Sequence, residues 1–244
     1  MKVIKTVLIL GIGILIALSA QAQDDGNYEY NREFIWGINK NTNGGLIGGF
    51  IIKNSKAIGP RTFRTIGGEI MNVKHPKEDR KVSRRSGNTF IWGKSNYLYA
   101  FRFYYGFDRI LFKKAPQQGV QINYGVAAGP TIGVLAPYYI EVLAGGRDGV
   151  SREQYDPFNS RHNFSNILGT GRLFQGLGKS KIKPGLNAKA ALTFEFGTFK
   201  SNVTGFEVGL NAEAYTEKII LIPAEKNRAV FTSAFITLFY GSRR

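Results

Sequence analysis

Leu186-Asn187-Ala188-Lys189-Ala190-Ala191-Leu192-Thr193-Phe194-Glu195-Phe196-Gly197 alternates with a period of two. Leu186, Ala188, Ala190, Leu192, Phe194 and Phe196 share one face, while Asn187, Lys189, Ala191, Thr193, Glu195 and Gly197 share the other. Successive side chains of a strand point to opposite sides, so this stretch predicts a β-strand with one apolar and one polar face. A strand rises about 3.3 Å per residue, so roughly ten to twelve tilted residues cross a bilayer. The stretch has that length.

The pattern recurs along the chain. In 203–215, Phe206, Val208, Leu210, Ala212 and Ala214 oppose Glu207, Gly209, Asn211 and Glu213. In 97–105, Tyr97, Tyr99, Phe101, Phe103 and Tyr105 oppose Arg102, and from Val120 onward Ile122, Tyr124 and Val126 oppose Gln121, Asn123 and Gly125. Residues 33–40 and 46–54 flank Asn41-Thr42-Asn43-Gly44-Gly45, a hairpin turn by its Asn-Gly chemistry. With 62–73 and 229–240 the strands number eight: 33–40, 46–54, 62–73, 97–105, 120–136, 186–197, 203–215 and 229–240. Connections 74–96, 137–185 and 216–228 are longer than 55–61, 106–119 and 198–202, and only 41–45 breaks the alternation. Even strand number, short periplasmic turns and long outer loops characterise outer-membrane barrels. The predicted fold is therefore all-β, an antiparallel transmembrane β-barrel of about eight strands over 33–244. Gly129-Pro130 interrupts a strand, and a closed barrel has no edge to hide a missing N–H, so a bulge or a break is expected there. A break would make 131–143 its own strand and raise the count to nine or ten.

The N-terminus predicts export. Lys2 and Lys5 precede a twelve-residue apolar run, Val7 to Leu18, too short for a membrane anchor. Ala20-Gln21-Ala22 reads as a cleavage site, making 1–22 a signal peptide, Gln23 the mature N-terminus and 23–32 a periplasmic segment. The expected location is the bacterial outer membrane. Of 244 residues, 43% are hydrophobic and 13% aromatic, enough apolar surface to exclude disorder. The absence of cysteine excludes a disulfide scaffold, thiolate metal sites and a cysteine nucleophile. The net charge of +16 becomes +14 without Lys2 and Lys5, and points to anionic partners. Export removes nucleic acid from that class.

The polar face predicts what fills the lumen. Glu69, Arg102, Gln121, Asn123, Lys189, Glu195, Glu207, Asn211 and Glu213 all point inward on this reading. An eight-stranded barrel is just wide enough for side chains to fill it, and charges kept from water persist only if paired. Glu69, Arg102, Lys189, Glu195, Glu207 and Glu213 are thus expected to form a hydrogen-bonded plug.

Taken together, the chain resembles the small outer-membrane β-barrel proteins of Bacteroidota, in an uncharacterised branch. The resemblance rests on the signal peptide, the Gly- and aromatic-rich strands over 30–240, and the aromatic final strand Ala234-Phe235-Ile236-Thr237-Leu238-Phe239-Tyr240. It rests also on the segments Trp36–Gly49 and Lys113–Gly119. Such barrels usually end on an aromatic residue, and here Gly241-Ser242-Arg243-Arg244 follow. The resemblance implies insertion by the barrel-assembly machinery and carries over no catalytic residue.

Chemical motifs are few. Arg161-His162-Asn163-Phe164-Ser165 resembles the His-x-Ser of lipid A deacylases, but the spacing is one residue longer and it sits in a loop. A short helix over Asn163–Leu168 is the expected structure. Gly178-Lys179-Ser180 matches the end of a phosphate-binding loop, yet Leu173 stands where its first glycine belongs. Asp148, Glu153 and Asp156 are dispersed among Arg147 and Arg152, so no metal site and no cofactor are expected. The basic cluster Lys74, Lys77, Arg80, Lys81, Arg84 and Arg85 is the expected contact for lipopolysaccharide phosphates or an acidic protein, with a solvated outer loop as the alternative. Lys179, Lys181 and Lys183 form a second cluster, and Phe90, Trp92, Tyr97 and Tyr99 read as a partner surface or as interfacial girdle. The function expected is non-enzymatic: a plugged barrel acting as a structural or interaction protein, with an accessory subunit of a secretion or barrel-assembly machine as one such role. Loops 74–96 and 137–185 would dock membrane lipid, lipopolysaccharide or an envelope protein. The alternatives are a small porin or transport barrel and a lipid A-modifying enzyme.

Overall fold

The structure, a computed structural model, describes residues 30–113, 119–144, 149–172, 175–196 and 201–244. The signal peptide, Gln23, most of the 23–32 and 113–119 segments, Arg147, Asp148, Leu173 and Gly197 lie outside them. In chain order the described strands are β1 (Arg32–Asn41), β2 (Gly44–Gly59), β3 (Thr62–Val73), β4 (Asp79–Val82), β5 (Thr89–Trp92), β6 (Asn96–Phe112), β7 (Gln121–Pro137), β8 (Tyr139–Leu143), β9 (Val150–Gln154), β10 (Ile167–Thr170), β11 (Lys181–Phe196), β12 (Asn202–Ile219) and β13 (Arg228–Arg243).

The eight long strands β1, β2, β3, β6, β7, β11, β12 and β13 close into an antiparallel barrel, each pairing with the next and β13 returning to β1. Alternation decides which side each residue takes. Along β1 exposure and burial alternate without a break, so Phe34, Trp36 and Ile38 face outward while Glu33, Ile35 and Asn39 face the lumen. Phe50, Ile66, Phe103, Val126, Leu192, Leu210 and Leu238 continue the exposed apolar belt around the wall. Water does not tolerate a contiguous belt of this size; a bilayer does. The barrel is transmembrane.

These are the eight predicted strands, six of them lengthened, with 62–73 unchanged and 120–136 shifted by one residue. β6 runs on to Phe112, β11 starts at Lys181 and β13 reaches Arg243. Past the belt a paired strand needs only its backbone ladder, so the apolar signal fades while the strand continues. Gly241–Arg243 is therefore strand, with Gly241 opposite Ile35 and Arg243 opposite Glu33. One close approach needs a glycine: a Cβ on Gly67 would collide with the Tyr104 ring, which lies across the lumen there.

Pro130 forms neither a bulge nor a break. Arg102 pairs with Thr131 and Tyr105 with Ala128, so the β6–β7 register is the same on both sides of it. Asn187 of β11 makes this tenable. Its side-chain amide lies 2.9–3.1 Å from the Phe103, Gly129 and Pro130 carbonyls and the Thr131 hydroxyl. The amide thereby supplies donors where the ladder lacks one. Segment 131–143 divides at Tyr138 instead, with 131–137 in β7 and the rest in β8. The helix expected over Asn163–Leu168 is absent. Asn163 Oδ1 accepts from the Ser165 and Asn166 amides in a turn that leads into β10.

The start of β1, the end of β13 and the strand ends joined by the β2–β3, β6–β7 and β11–β12 connections lie at one end of the barrel, and the short β1–β2 turn and the longer connections leave from the other. At the loop end, β4 and β5 form a hairpin and β8 pairs with both β9 and β10. Phe90, Ile91, Tyr138, Ile140, Val142, Tyr155 and Ile167 give this cap its own core. The Tyr138 hydroxyl accepts from the Ile91 amide at 3.0 Å, and the Tyr155 hydroxyl accepts from the Gly93 amide at 3.2 Å.

Asn187→Ala is expected to strand those carbonyls and cost about 1–3 kcal/mol. The temperature at which the folded band is lost on semi-native gels should fall, and an unchanged temperature would refute this role.

Candidate functional site

The lumen is filled in tiers. Nearest the termini, Arg243 donates to Glu33 at 2.6 Å and to Glu195, and its guanidinium lies 3.9 Å above the Tyr30 ring. Asn123 also donates to Glu195, and Gln121 donates to the Asn123 amide oxygen at 3.0 Å. In the middle, Lys53 reaches Asp108 at 3.1 Å and Glu207 at 3.5 Å, while Lys189 reaches Glu207 at 2.7 Å. Thr65 donates to Asp108 at 2.8 Å, and Lys189 also lies between the Tyr104 and Phe235 rings. Above that tier, Arg102 bridges Glu69 at 2.9 Å and Glu213 at 2.8 Å, and Asn39 donates to Glu69.

An apolar layer closes the lumen over these tiers. Met71, Val73, Leu98, Ala100, Leu135, Tyr215, Ile219 and Leu221 pack together, with Phe231 against them. In each tier a carboxylate accepts from a cation held on another strand, so the charges stay paired without bulk water. Among the described residues no group of three or more His, Asp or Glu is placed to hold a metal ion.

The residues singled out in the sequence land as follows. Arg102 joins Glu69 and Glu213, and Lys189 joins Glu207. Glu195 instead meets Arg243, a cation beyond the predicted strand end. Gln121, Asn123 and Asn211 are buried on the same inner face. Lys53, Asp108, Glu33, Arg243 and Tyr30 also join the tiers, and for Arg243 the sequence signal is the continuing alternation Thr237, Phe239, Gly241, Arg243.

The basic cluster disperses over the cap. Lys77 pairs with Glu225 at 2.6 Å, Lys81 with Asp79 at 2.6 Å, and Arg84 lies 5.7 Å from the Phe164 ring centre. Arg85 is exposed. Lys74 and Arg80 line a cleft of about 300 Å³ together with Arg172, Tyr97, Tyr99 and Tyr139. Lys94 is fully buried, pairs with Glu78 at 2.6 Å and lies 4.2 Å from the Tyr97 ring centre. Burial pulls its pKa below the usual lysine value against the opposing pull of Glu78, and Lys74 and Arg80 lower it further.

Phe90 and Trp92 belong to the cap, where both contact Phe164; Tyr97 packs against the same cap core, edge-on to Tyr138, and stacks on Tyr99 of the outward face of β6. Lys179 lies 6.0 Å from the Tyr139 ring centre, Lys183 pairs with Glu217, and Lys181 is exposed. His162 and Ser165 are not brought together. The His162 Nδ1 meets the Asp156 backbone at 3.0 Å and Nε2 meets Glu153 at 3.2 Å, while Ser165 is exposed.

No family model matches the chain, and no curated protein does. Among solved structures it is similar to Neisserial surface protein A, at 12% identity over 88% of this chain and 95% of that one, with a TM-score of 0.35. It is similar to Ail, the attachment invasion locus protein of Yersinia pestis, at 12% identity over 88% of this chain and all (100%) of that one, with a TM-score of 0.35. The N-terminal β-barrel domain of Pseudomonas aeruginosa OprF matches at 9% identity over 88% of this chain and 98% of that one, with a TM-score of 0.36. These neighbours are small outer-membrane β-barrel proteins.

Removing one partner from a buried charge cluster costs more than removing the cluster. Arg102→Met leaves Glu69 and Glu213 without their cation and should destabilise the barrel by about 3–5 kcal/mol in urea titrations in detergent. Adding Glu69→Leu and Glu213→Leu should recover most of that loss; a triple variant no more stable than the single would refute the pairing. In the cap, Ile140→Ala should open 138–180 to limited proteolysis at a local cost of about 2–5 kcal/mol, without moving the barrel's own gel transition.

Proposed function

We propose that this chain is an integral protein of the bacterial outer membrane that works by interaction. On this reading the end where β1 starts and β13 finishes faces the periplasm and the cap faces outward. One observation supports the reading above the others: the lumen is closed twice, by the ion-pair tiers and by the apolar layer from Met71 to Leu221. A conduit needs neither. A protein that binds through its outer loops needs those loops shaped, and the cap has its own core and paired strands.

The functional surface is then the cap, built from 74–96 and 137–185, with outer-leaflet lipid, lipopolysaccharide or an envelope protein as partner. Service as an accessory subunit of a secretion or barrel-assembly machine is one form of this role. The reading assigns no catalysis, since His162 is engaged by Glu153 and the Asp156 backbone and not by Ser165.

Planar-bilayer recording separates this proposal from the porin reading. The purified full chain should insert without steady single-channel current. Reproducible unitary currents would overturn the closed lumen and leave the transport reading standing.

A further inference from the structure

The cap cleft combines enclosure with unopposed charge among the described residues. It lies where the loop ends of β3, β6 and β7 meet the β4–β5 hairpin and the segment after β10. Lys74, Arg80 and Arg172 line it, no carboxylate among the described residues does, and its volume is about 300 Å³. Among the described residues no acidic group forms an ion pair with any of these three cations. Beneath them Lys94 is buried, and its single carboxylate partner, Glu78, is already engaged at 2.6 Å. Burial is the main cause of the lowered Lys94 pKa, and the nearby Lys74 and Arg80 charges add to it. Paired cations elsewhere on the cap, such as Lys77, Lys81 and Arg152, lack this surplus.

The apolar side of the cleft fixes the kind of anion. Tyr97 and Tyr99 occupy the outward face of β6, the face that continues through Phe101, Phe103 and Tyr105 into the lipid belt. A ligand seated here has its anionic group among Lys74, Arg80 and Arg172 and its remainder over tyrosine rings leading down to the acyl region. Arginine forks suit phosphate oxygens, and tyrosines suit the interface between headgroup and chain. We infer that the cleft binds the phosphorylated headgroup of an outer-leaflet glycolipid, with Arg80 and Arg172 as its phosphate ligands. This rests on the reading of the chain as an outer-membrane interaction protein and gives that interaction a place and a chemistry.

The test uses the full chain in detergent micelles and three probes. These are lipid A carrying its phosphates, the same acylated disaccharide without phosphate, and glucosamine 1-phosphate without acyl chains. Phosphorylated lipid A should bind at least about tenfold more tightly than either other probe, because charge-assisted bonds and chain contacts both contribute. Arg80→Gln with Arg172→Gln should remove that tenfold preference while keeping the folded gel mobility. Arg84→Gln, whose guanidinium rests on Phe164, should leave it unchanged. Equal binding of phosphorylated and dephosphorylated lipid overturns the phosphate site. Equal binding of glucosamine 1-phosphate overturns the lipid and makes the ligand a soluble phosphate ester. Conductance measurements are independent of these outcomes, so failure of the cleft and failure of the closed barrel are read separately.

Discussion

A charged side chain inside a narrow barrel keeps its charge only while a partner replaces the water it has lost. The Arg102 bridge between Glu69 and Glu213 meets that condition across β3, β6 and β12. Lys53, Lys189, Asp108 and Glu207 meet it across β2, β6, β11 and β12, and Arg243 meets it between β1 and β11. With Asn123 from β7 donating to Glu195, every barrel strand contributes to the tiers. Closure and pairing are thus one constraint. Slipping any strand by one residue would turn its charges toward lipid and its aromatic residues into the lumen.

The loop end is built on that base. Once the upper tier is neutralised, the inner face above it can be apolar, and Met71, Leu98, Leu135 and Tyr215 form a lid. The cap then packs on strand ends that are already held in place. Lys94 with Glu78 pins the 74–95 connection from within, and Gly93, at a φ of +74°, turns the chain back toward β6. A cap with its own core on a barrel filled by side chains is the architecture on which the proposed interaction role rests.

The barrel was legible in the sequence because lipid and lumen impose opposite chemistry on alternate residues, as in Leu186–Phe196. Where that contrast weakens, the signal is lost. Phe50-Ile51-Ile52-Lys53 is apolar on both faces until Lys53, so its inward lysine carried no pattern. Arg243 follows Gly241 and Ser242, which read as a tail although the ladder continues. The cap strands are four or five residues long, too short to show a period. Pro130 was readable as a problem, whereas its answer, Asn187, lies on a strand remote in sequence. The cleft has no linear signature at all, since Lys74, Arg80 and Arg172 meet only through the fold. Counting basic residues within one loop found the first two and missed the third.

The absence of cysteine allows a direct test of whether the lumen is closed to water. Thr193 faces the middle tier and is 4% exposed, whereas Phe158 in the cap is 80% exposed. Single variants Thr193→Cys and Phe158→Cys should be treated with a small water-soluble maleimide in intact proteoliposomes. Phe158→Cys should label at once and Thr193→Cys only after denaturation; equal labelling rates for the two folded proteins would contradict the closed lumen.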